Sequence, residues 1–261
     1  MTLQQTLDRG FKRVVLGACG LGSYWHLGVR NRLTITGREH LEGLPARNVL
    51  FVANHQTYFL DVMAIFHALG GGAISPAGGL RAPLHLSFIA AHETMNKGGL
   101  LPRFFAAGGA VCIHRTWREG EREVSRPLDT SDLFLIGRAL QAGWLITFPQ
   151  GTTRAGAPGR RGTAHMIQHH RPVVVPIVLS GFSQAFDKTG LKILKPGTEL
   201  SLRFKKPLEP QGDLDEVLAQ VMEAIEQAPA AERQKAWQGE AARVSQAPAP
   251  SSPLFNSSGS P

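Results

Sequence analysis

The sequence is missing the loops that mark the commonest nucleotide and hydrolase chemistries. Neither Gly-x-Gly-x-x-Gly nor Gly-x-x-x-x-Gly-Lys-Ser/Thr occurs, so phosphate cradling by those loops is unsupported. Gly-x-Ser-x-Gly is also missing, which argues against a serine hydrolase built on a nucleophile elbow. His92 is followed by glutamate as in a zinc helix, but the second histidine of such a helix is not there. His169 and His170 are adjacent and diverge on a helix, a poor arrangement for one metal ion. His26, His85 and His165 read, like His92, as surface or satisfied structural histidines. No metal and no cofactor is expected.

Cysteine is scarce: Cys19 and Cys112 are the only two, and they lie far apart. Cys112 sits in an apolar run, which predicts a buried free thiol and a reducing compartment. Charge of either sign is absent from residues 14–29, but that stretch is shorter than the roughly 20 apolar residues that span a bilayer. It also lacks a small-x-small cleavage site followed by polar sequence, which argues against a secretory signal.

What is present suits a sizeable core. Hydrophobic residues make up 43% of the 261, enough for one large domain. Lys and Arg number 28 against 20 Asp and Glu, a net +8 that favours an anionic partner. The basic residues are scattered among apolar blocks and no nucleic-acid module appears, so nucleic acid is not expected. Residues 14–29 are flanked by Arg9, Lys12, Arg13, Arg30 and Arg32, and they carry Tyr24 and Trp25. That is the pattern of a segment lying in a membrane interface. The alternative is a helical hairpin that only packs on the domain.

Residues 1–33 are expected to be helical, broken near residues 17–22. Strand-length apolar runs then alternate with helical stretches. The runs cover 49–53, 86–90, 110–114, 144–148, 173–179 and 200–204. The helical stretches cover 60–69, 131–141, 162–169 and 214–228. This alternation predicts an α/β fold: a single domain with a mixed, mostly parallel sheet flanked by helices. Residues 70–79 read as a glycine-rich mobile loop. The domain is bounded at 34–228. Residues 229–261 are charged, then Pro- and Ser-rich, and are expected to be largely disordered.

Three places where a strand ends carry candidate chemistry. Residues 54–61 (Asn-His-Gln-Thr-Tyr-Phe-Leu-Asp) place His55 and Asp61 around the start of a helix, where free N–H groups and positive potential are available. Residues 109–115 (Gly-Ala-Val-Cys-Ile-His-Arg) deliver Arg115 from a buried strand. Residues 148–154 (Phe-Pro-Gln-Gly-Thr-Thr-Arg) lead a strand into a turn, with Arg160 and Arg161 close behind. Together with the Val-Val-Pro-Ile of residues 174–177, these blocks resemble the glycerolipid acyltransferases typified by bacterial 1-acyl-glycerol-3-phosphate acyltransferase. The resemblance spans roughly residues 34–206 and starts with a lead-in strand before the histidine block. The supporting positions are Asn54, Gly109, Pro149, Gln150 and Pro176.

The resemblance implies transfer of a fatty acyl group from acyl-CoA or acyl carrier protein to a lysolipid hydroxyl. The first expected acceptor is 1-acyl-glycerol-3-phosphate. His55 would be the general base, oriented by Asp61. Arg115, with Gly151, Thr152 and Arg154, would bind the acceptor phosphate, since an arginine fork holds two phosphate oxygens. Backbone N–H groups near Gly151 and Thr152, or in the turn before the Asp61 helix, would stabilise the oxyanion. Membrane lipids would be partners at the cytoplasmic face, peripherally or monotopically; the oligomeric state stays open. Other readings are a different acceptor (glycerol-3-phosphate or a phosphate-free lysolipid) or a non-catalytic lipid-binding relative.

The sequence departs from the family pattern twice. Five residues separate His55 from Asp61 where four are usual, and a regular helix would not bring their side chains together. Either the helix starts late or a π-turn absorbs the extra residue near Tyr58 and Phe59. Gln150 stands where glutamate is usual, which leaves a nearby arginine with more net positive charge and less to hold it still.

Overall fold

Val49–Ala53 is apolar without a break, so both of its faces must be covered, as in the centre of a parallel sheet. The computed structural model describes residues 3–71, 74–92, 107–114, 118–119, 122–123 and 130–227, and places this strand in that position. The strands are β1 (Arg32–Thr36), β2 (Val49–Ala53), β3 (Leu86–Ala91), β4 (Ala110–Ile113), β5 (Arg118–Glu119), β6 (Arg122–Glu123), β7 (Trp144–Thr147), β8 (Val173–Ser180) and β9 (Glu199–Phe204). Seven of them form one sheet in the order β1-β9-β8-β2-β7-β3-β4, while β5 and β6 pair as a separate ribbon. Pairing from β8 to β4 is parallel throughout; β9 runs antiparallel to β8 and takes β1 with it.

The helices are α1 (Leu3–Tyr24), α2 (Leu60–Leu69), α3 (Gly78–Arg81), α4 (Thr130–Ala142), α5 (Arg161–His170), α6 (Phe182–Ala185) and α7 (Leu214–Ala224). They cover both faces of the sheet. One apolar layer joins α1 and α2 to Phe51, Phe88, Phe182 and Phe204. The other joins α4, α5 and α7 to Leu50, Val52, Leu145 and Val174. Helix α7 opens with a capping box, Asp213 accepting from the Asp215 and Glu216 amides while Glu216 reaches back.

The N-terminal segment differs from expectation in an informative way. Helix α1 runs unbroken through Gly17, Gly20 and Gly22 and loosens only at a π-turn over Trp25–Val29. Its glycines serve packing: a Cβ on Gly20 would lie 2.5 Å from the Gly79 nitrogen, and one on Gly17 2.7 Å from Leu80. The glycine-rich stretch therefore folds in part into α3, pressed on α1, rather than standing as a loop. No helix among the described residues is long and apolar enough to cross a membrane. Helix α7 ends at Ala224 rather than 228, with Glu226 in the left-handed region. The tail expected over 229–261 lies outside the described residues.

Candidate active site

Strands β2, β7, β3 and β4 end on the same edge of the sheet, where open α/β folds bind ligands. A cleft opens there, enclosing about 1210 Å³ of empty space with its mouth included. His55, Tyr58, Phe59, Phe148 and Gly151 line one part of it; Ile113, His114, Asp132 and Ile136 line another.

His55 follows β2 and its Nδ1 lies 3.0 Å from Asp61 Oδ2. A carboxylate only accepts, so Nδ1 carries the hydrogen and Nε2 is left with the lone pair. The ring stacks on Phe148 at 4.0 Å between centroids and is 12% exposed, enough for a substrate to reach it. Asp61 is fully buried, but its carboxylate is well supplied. It accepts from the Gln56 amide (2.6 Å), the Thr57 amide (3.0 Å) and the Thr57 hydroxyl (2.7 Å). Thr57 Oγ1 in turn accepts from the Asp61 amide.

The extra residue between His55 and Asp61 is absorbed by a late helix start, not by a π-turn. Helix α2 begins at Leu60, and residues 56–59 form a turn pinned to a neighbouring loop. The Tyr58 and Phe59 amides donate to the Lys188 and Thr189 carbonyls. Gly190, at φ +84°, makes the close approach possible: a Cβ there would lie 2.7 Å from Leu60 Cβ. Asp187 holds that loop by accepting from the Gly190, Leu191 and Lys192 amides, and although its desolvation works against the charge, these bonds hold its carboxyl below the usual range.

Asn54 anchors the turn from the other side. Its amide group donates to the Leu179 carbonyl at 2.9 Å and accepts from the Leu179 amide at 2.7 Å. That extends the pairing of β2 with β8 past the last ladder bond. Gln56 adds a bond to the same carbonyl and accepts from the Ser183 amide. Pro176 sits inside β8 opposite Val52 and is not on the cleft wall.

The third block forms the loop between β7 and α5. Pro149 and Gly151 line the cleft; Thr152 and Arg154 do not. Arg160, just ahead of α5, lines it instead, with Gly162 and Thr163 of the first turn. The sequence signal was there, since Arg160 and Arg161 follow the block closely, but the family resemblance pointed to Arg154. Arg161 is turned outward onto Asp215.

Gln150 does not face an arginine. It is 1% exposed, and its amide donates to the Ala157 carbonyl (3.0 Å) and to Gln227 Oε1 (3.2 Å). The same Gln227 oxygen accepts from the Gly156 amide. Both of its neighbours present oxygens, so this position requires a hydrogen-bond donor, which glutamate is not. The 150–157 turn is thus fastened to the end of α7.

The expected oxyanion groups are mostly engaged elsewhere. The Gly151 amide donates to Phe148 O, and the amides of residues 56–59 serve Asp61, Lys188 and Thr189. Arg115 lies outside the described residues. Gly109, at φ +119°, packs against Lys12 Nζ, which donates to the Leu84 and Leu86 carbonyls at 2.8 Å each. Burial first, and Arg13 second, lower the Lys12 pKa to about 8. Lys12 is therefore a tether of α1 to the sheet rather than a surface charge. Cys19 and Cys112 are free and half-buried; burial pushes the Cys19 thiol up to about 11, too weak an acid to serve as a thiolate.

A cluster of three or more metal-ligating side chains does not occur among the described residues. No curated protein sequence matches the chain. A solved structure does: the 1-acyl-sn-glycerophosphate (LPA) acyltransferase PlsC from Thermotoga maritima, at TM-score 0.55 and 18% identity. The match covers 87% of this chain and 82% of that one, and at this identity it speaks for the fold. The family model named Acyltransferase matches residues 32–180, more than half of the 261, and that span contains the whole His55–Asp61 turn and the β7–α5 loop. The chain belongs to the Acyltransferase family.

Proposed function

We propose that the protein transfers a fatty acyl group from a thioester, on coenzyme A or acyl carrier protein, to the hydroxyl of a lysophospholipid, with 1-acyl-glycerol-3-phosphate as acceptor. The observation that carries this reading is the His55–Asp61 pair on an apolar cleft. His55 Nε2 takes the proton of the acceptor hydroxyl as its oxygen attacks the thioester carbon. The resulting oxyanion collapses, the carbon–sulfur bond breaks, and the imidazolium returns the proton to the thiolate. Asp61 holds the ring in the reactive tautomer and stabilises its cation.

The acceptor phosphate fits beside the dyad, where Arg160 and the first turn of α5 meet the cleft. A helix start offers unpaired N–H groups and positive potential to an anion, and arginine adds a bidentate fork. Arg115 joins this proposal from the family resemblance. The acyl chain has an apolar wall on the α2 side, formed by Phe59, Val62 and Phe88.

Membrane contact is part of the same proposal, and α1 supports it. Phe11, Val14, Leu21 and Trp25 are each more than half exposed and fall on one stripe at helical spacing. With Arg9 and Arg30 near its ends, this stripe suits an anionic lipid surface. Turnover on a panel of lysolipids tests the reading. Phosphatidic acid formation from 1-acyl-glycerol-3-phosphate is expected; turnover confined to a phosphate-free acceptor would reject it.

A further inference from the structure

The connection from β8 to β9 carries two leucines that its own fold does not bury. Residues 188–196 read Lys-Thr-Gly-Leu-Lys-Ile-Leu-Lys-Pro. Ile193 bridges to Phe186 and packs against the core, whereas Leu191 and Leu194 are 46% and 55% exposed. The backbone sets this. The Asp187 amide donates to the Lys192 carbonyl, and the Leu194 and Lys195 amides both donate to the Ala185 carbonyl. A closed, hydrogen-bonded loop therefore holds both leucines outward.

They do not stand alone. His26 Nε2 lies 2.8 Å from the Leu191 carbonyl, and the Gly197 amide donates to the Arg30 carbonyl at 2.7 Å. Between those contacts the loop runs beside the π-turn that follows α1, where Trp25 and Val29 are about half exposed. The exposed stripe of α1 thus continues onto a second element. Charge around it has one sign. Lys188, Lys192 and Lys195 are exposed on the loop, and Arg30 follows Val29. The acid of this loop, Asp187, is occupied by the Thr189 hydroxyl and the amides of residues 190–192. Leucines among lysines on an ordered surface suit hydrocarbon just below anionic head groups. A second copy of the chain would instead bring like charges face to face.

The strand directions place this surface. β8 runs parallel to β2 and so ends on the edge where the cleft opens. β9 returns antiparallel from that edge, and β1, parallel to β9, starts there. The β8–β9 connection and the Trp25–Val29 turn therefore share the cleft's edge of the sheet. The loop also touches the cleft wall: Lys188 Nζ lies 5.5 Å over the Tyr58 ring.

We propose that residues 188–195, with Trp25 and Val29, dock the protein on an anionic bilayer so that the cleft edge of the sheet faces the lipid. A helix stripe alone tolerates rocking about the helix axis; a contact off that axis limits it and fixes which way the cleft points. The proposal rests on the acyl-transfer reading only for its turnover measurement.

Co-sedimentation with phosphatidylcholine vesicles containing phosphatidylglycerol tests it without turnover. Leu191→Gln/Leu194→Gln should weaken binding about tenfold. Lys192→Gln/Lys195→Gln should weaken it by a similar factor, about tenfold, with the difference from wild type shrinking as salt is raised. Lys206→Gln removes an exposed charge beyond the far end of β9, on the opposite edge, and should leave binding unchanged. The second measurement compares turnover of an acceptor held in vesicles with that of a short-chain acceptor dispersed as monomers. The leucine pair should lose about tenfold on vesicles and nothing on the dispersed acceptor. Unchanged vesicle binding in the leucine pair would overturn the proposal. Equal turnover losses on both acceptors would also overturn it, by making the loop part of the site itself. A leucine-dependent dimer without vesicles would do so by giving the surface to a second copy. Leucine-dependent vesicle binding by a protein that acylates no lysolipid would reject the acyl-transfer reading and leave this surface standing.

Discussion

Two connections leave neighbouring strands at the cleft, and they are held in different ways. The turn after β2 carries His55 and Asp61, and its backbone amides from Gln56 to Phe59 all have partners. It is fastened to β8 through Leu179 and to the 187–192 loop through Lys188 and Thr189. The loop after β7 is longer and is held by backbone bonds within itself and by those that meet at Gln150, Gln227 and Gly156. Preorganisation to within a fraction of an ångström matters most where a proton moves. The rigid turn therefore suits the chemistry proposed for His55, and the β7–α5 loop suits the acceptor recognition proposed for it.

The sharpest way to break this division is to remove the chemistry. His55→Ala should lower turnover about a thousandfold with the fold intact, a loss in the range that general-base removal brings. Asp61→Asn should cost nearly as much, and for a second reason. An asparagine that keeps its oxygen toward the His55 ring and the Gln56 and Thr57 amides must turn its NH2 toward the Thr57 hydroxyl, which loses its acceptor, so the turn itself should loosen. Steady-state kinetics beside a thermal melt separates the two variants: the first should keep its melting temperature and the second should lose several degrees.

Gly190→Ala attacks the turn from outside the cleft. The added methyl group meets Leu60 at a position whose φ of +84° already disfavours alanine. We expect kcat to fall about tenfold, because Asp61 sits one residue beyond Leu60, and acceptor KM to stay put. A rise in KM with kcat preserved would mean that the turn is not what fixes the dyad.

Gln150→Glu acts on the other connection. A carboxylate there faces the Ala157 carbonyl and Gln227 oxygen with no hydrogen to give. Turning the Gln227 amide would repair one contact but strand the Gly156 amide. Acceptor KM should rise about fivefold with kcat nearly unchanged, alongside a stability loss of about 2 kcal/mol. Gln227→Ala, off the cleft wall, should reproduce the same KM effect more weakly.

Much of this was legible beforehand, for identifiable reasons. The apolar runs that became β2 and β8 are continuous because both faces are covered, and helix 60–69 matched to the residue. The reading of α1 failed because Gly17 and Gly20 look like breaks, whereas their missing side chains admit the α3 backbone. The late start of α2 was one of two solutions open from spacing alone. The choice between them lies in the contacts of Tyr58 and Phe59 with residues 188–189, more than 125 positions away. Gln227 was hidden for the same reason: its role depends on how a loop folds back, and no local periodicity records that.

The last contrast sets the turn against α1. His67 of α2 is fully buried, with Nε2 2.9 Å from the Ser23 hydroxyl of α1 and Nδ1 pressed against Gly78 without a hydrogen-bond partner. Burial lowers its pKa, only partly offset by a bond to the Gly20 carbonyl. A histidine pKa lowered by folding means that the unfolded chain binds the proton more readily. Its stabilising contribution is therefore complete above the ordinary histidine range and is lost as pH falls below it. Acid should loosen the contact of α1 with α2 and α3 first. The dyad turn is fastened to β8 and to the 187–192 loop, which meets the N-terminal segment through His26 on the Leu191 carbonyl, so it should follow less. Hydrogen exchange at pH 5 against pH 7.5 should show α1 amides losing protection while the Thr57 and Phe59 amides keep more of theirs. His67→Gln, neutral at both values, should flatten the difference in α1. Equal loss of protection in the two regions would show that one cooperative unit holds both, and that the turn owes its rigidity to α1 after all.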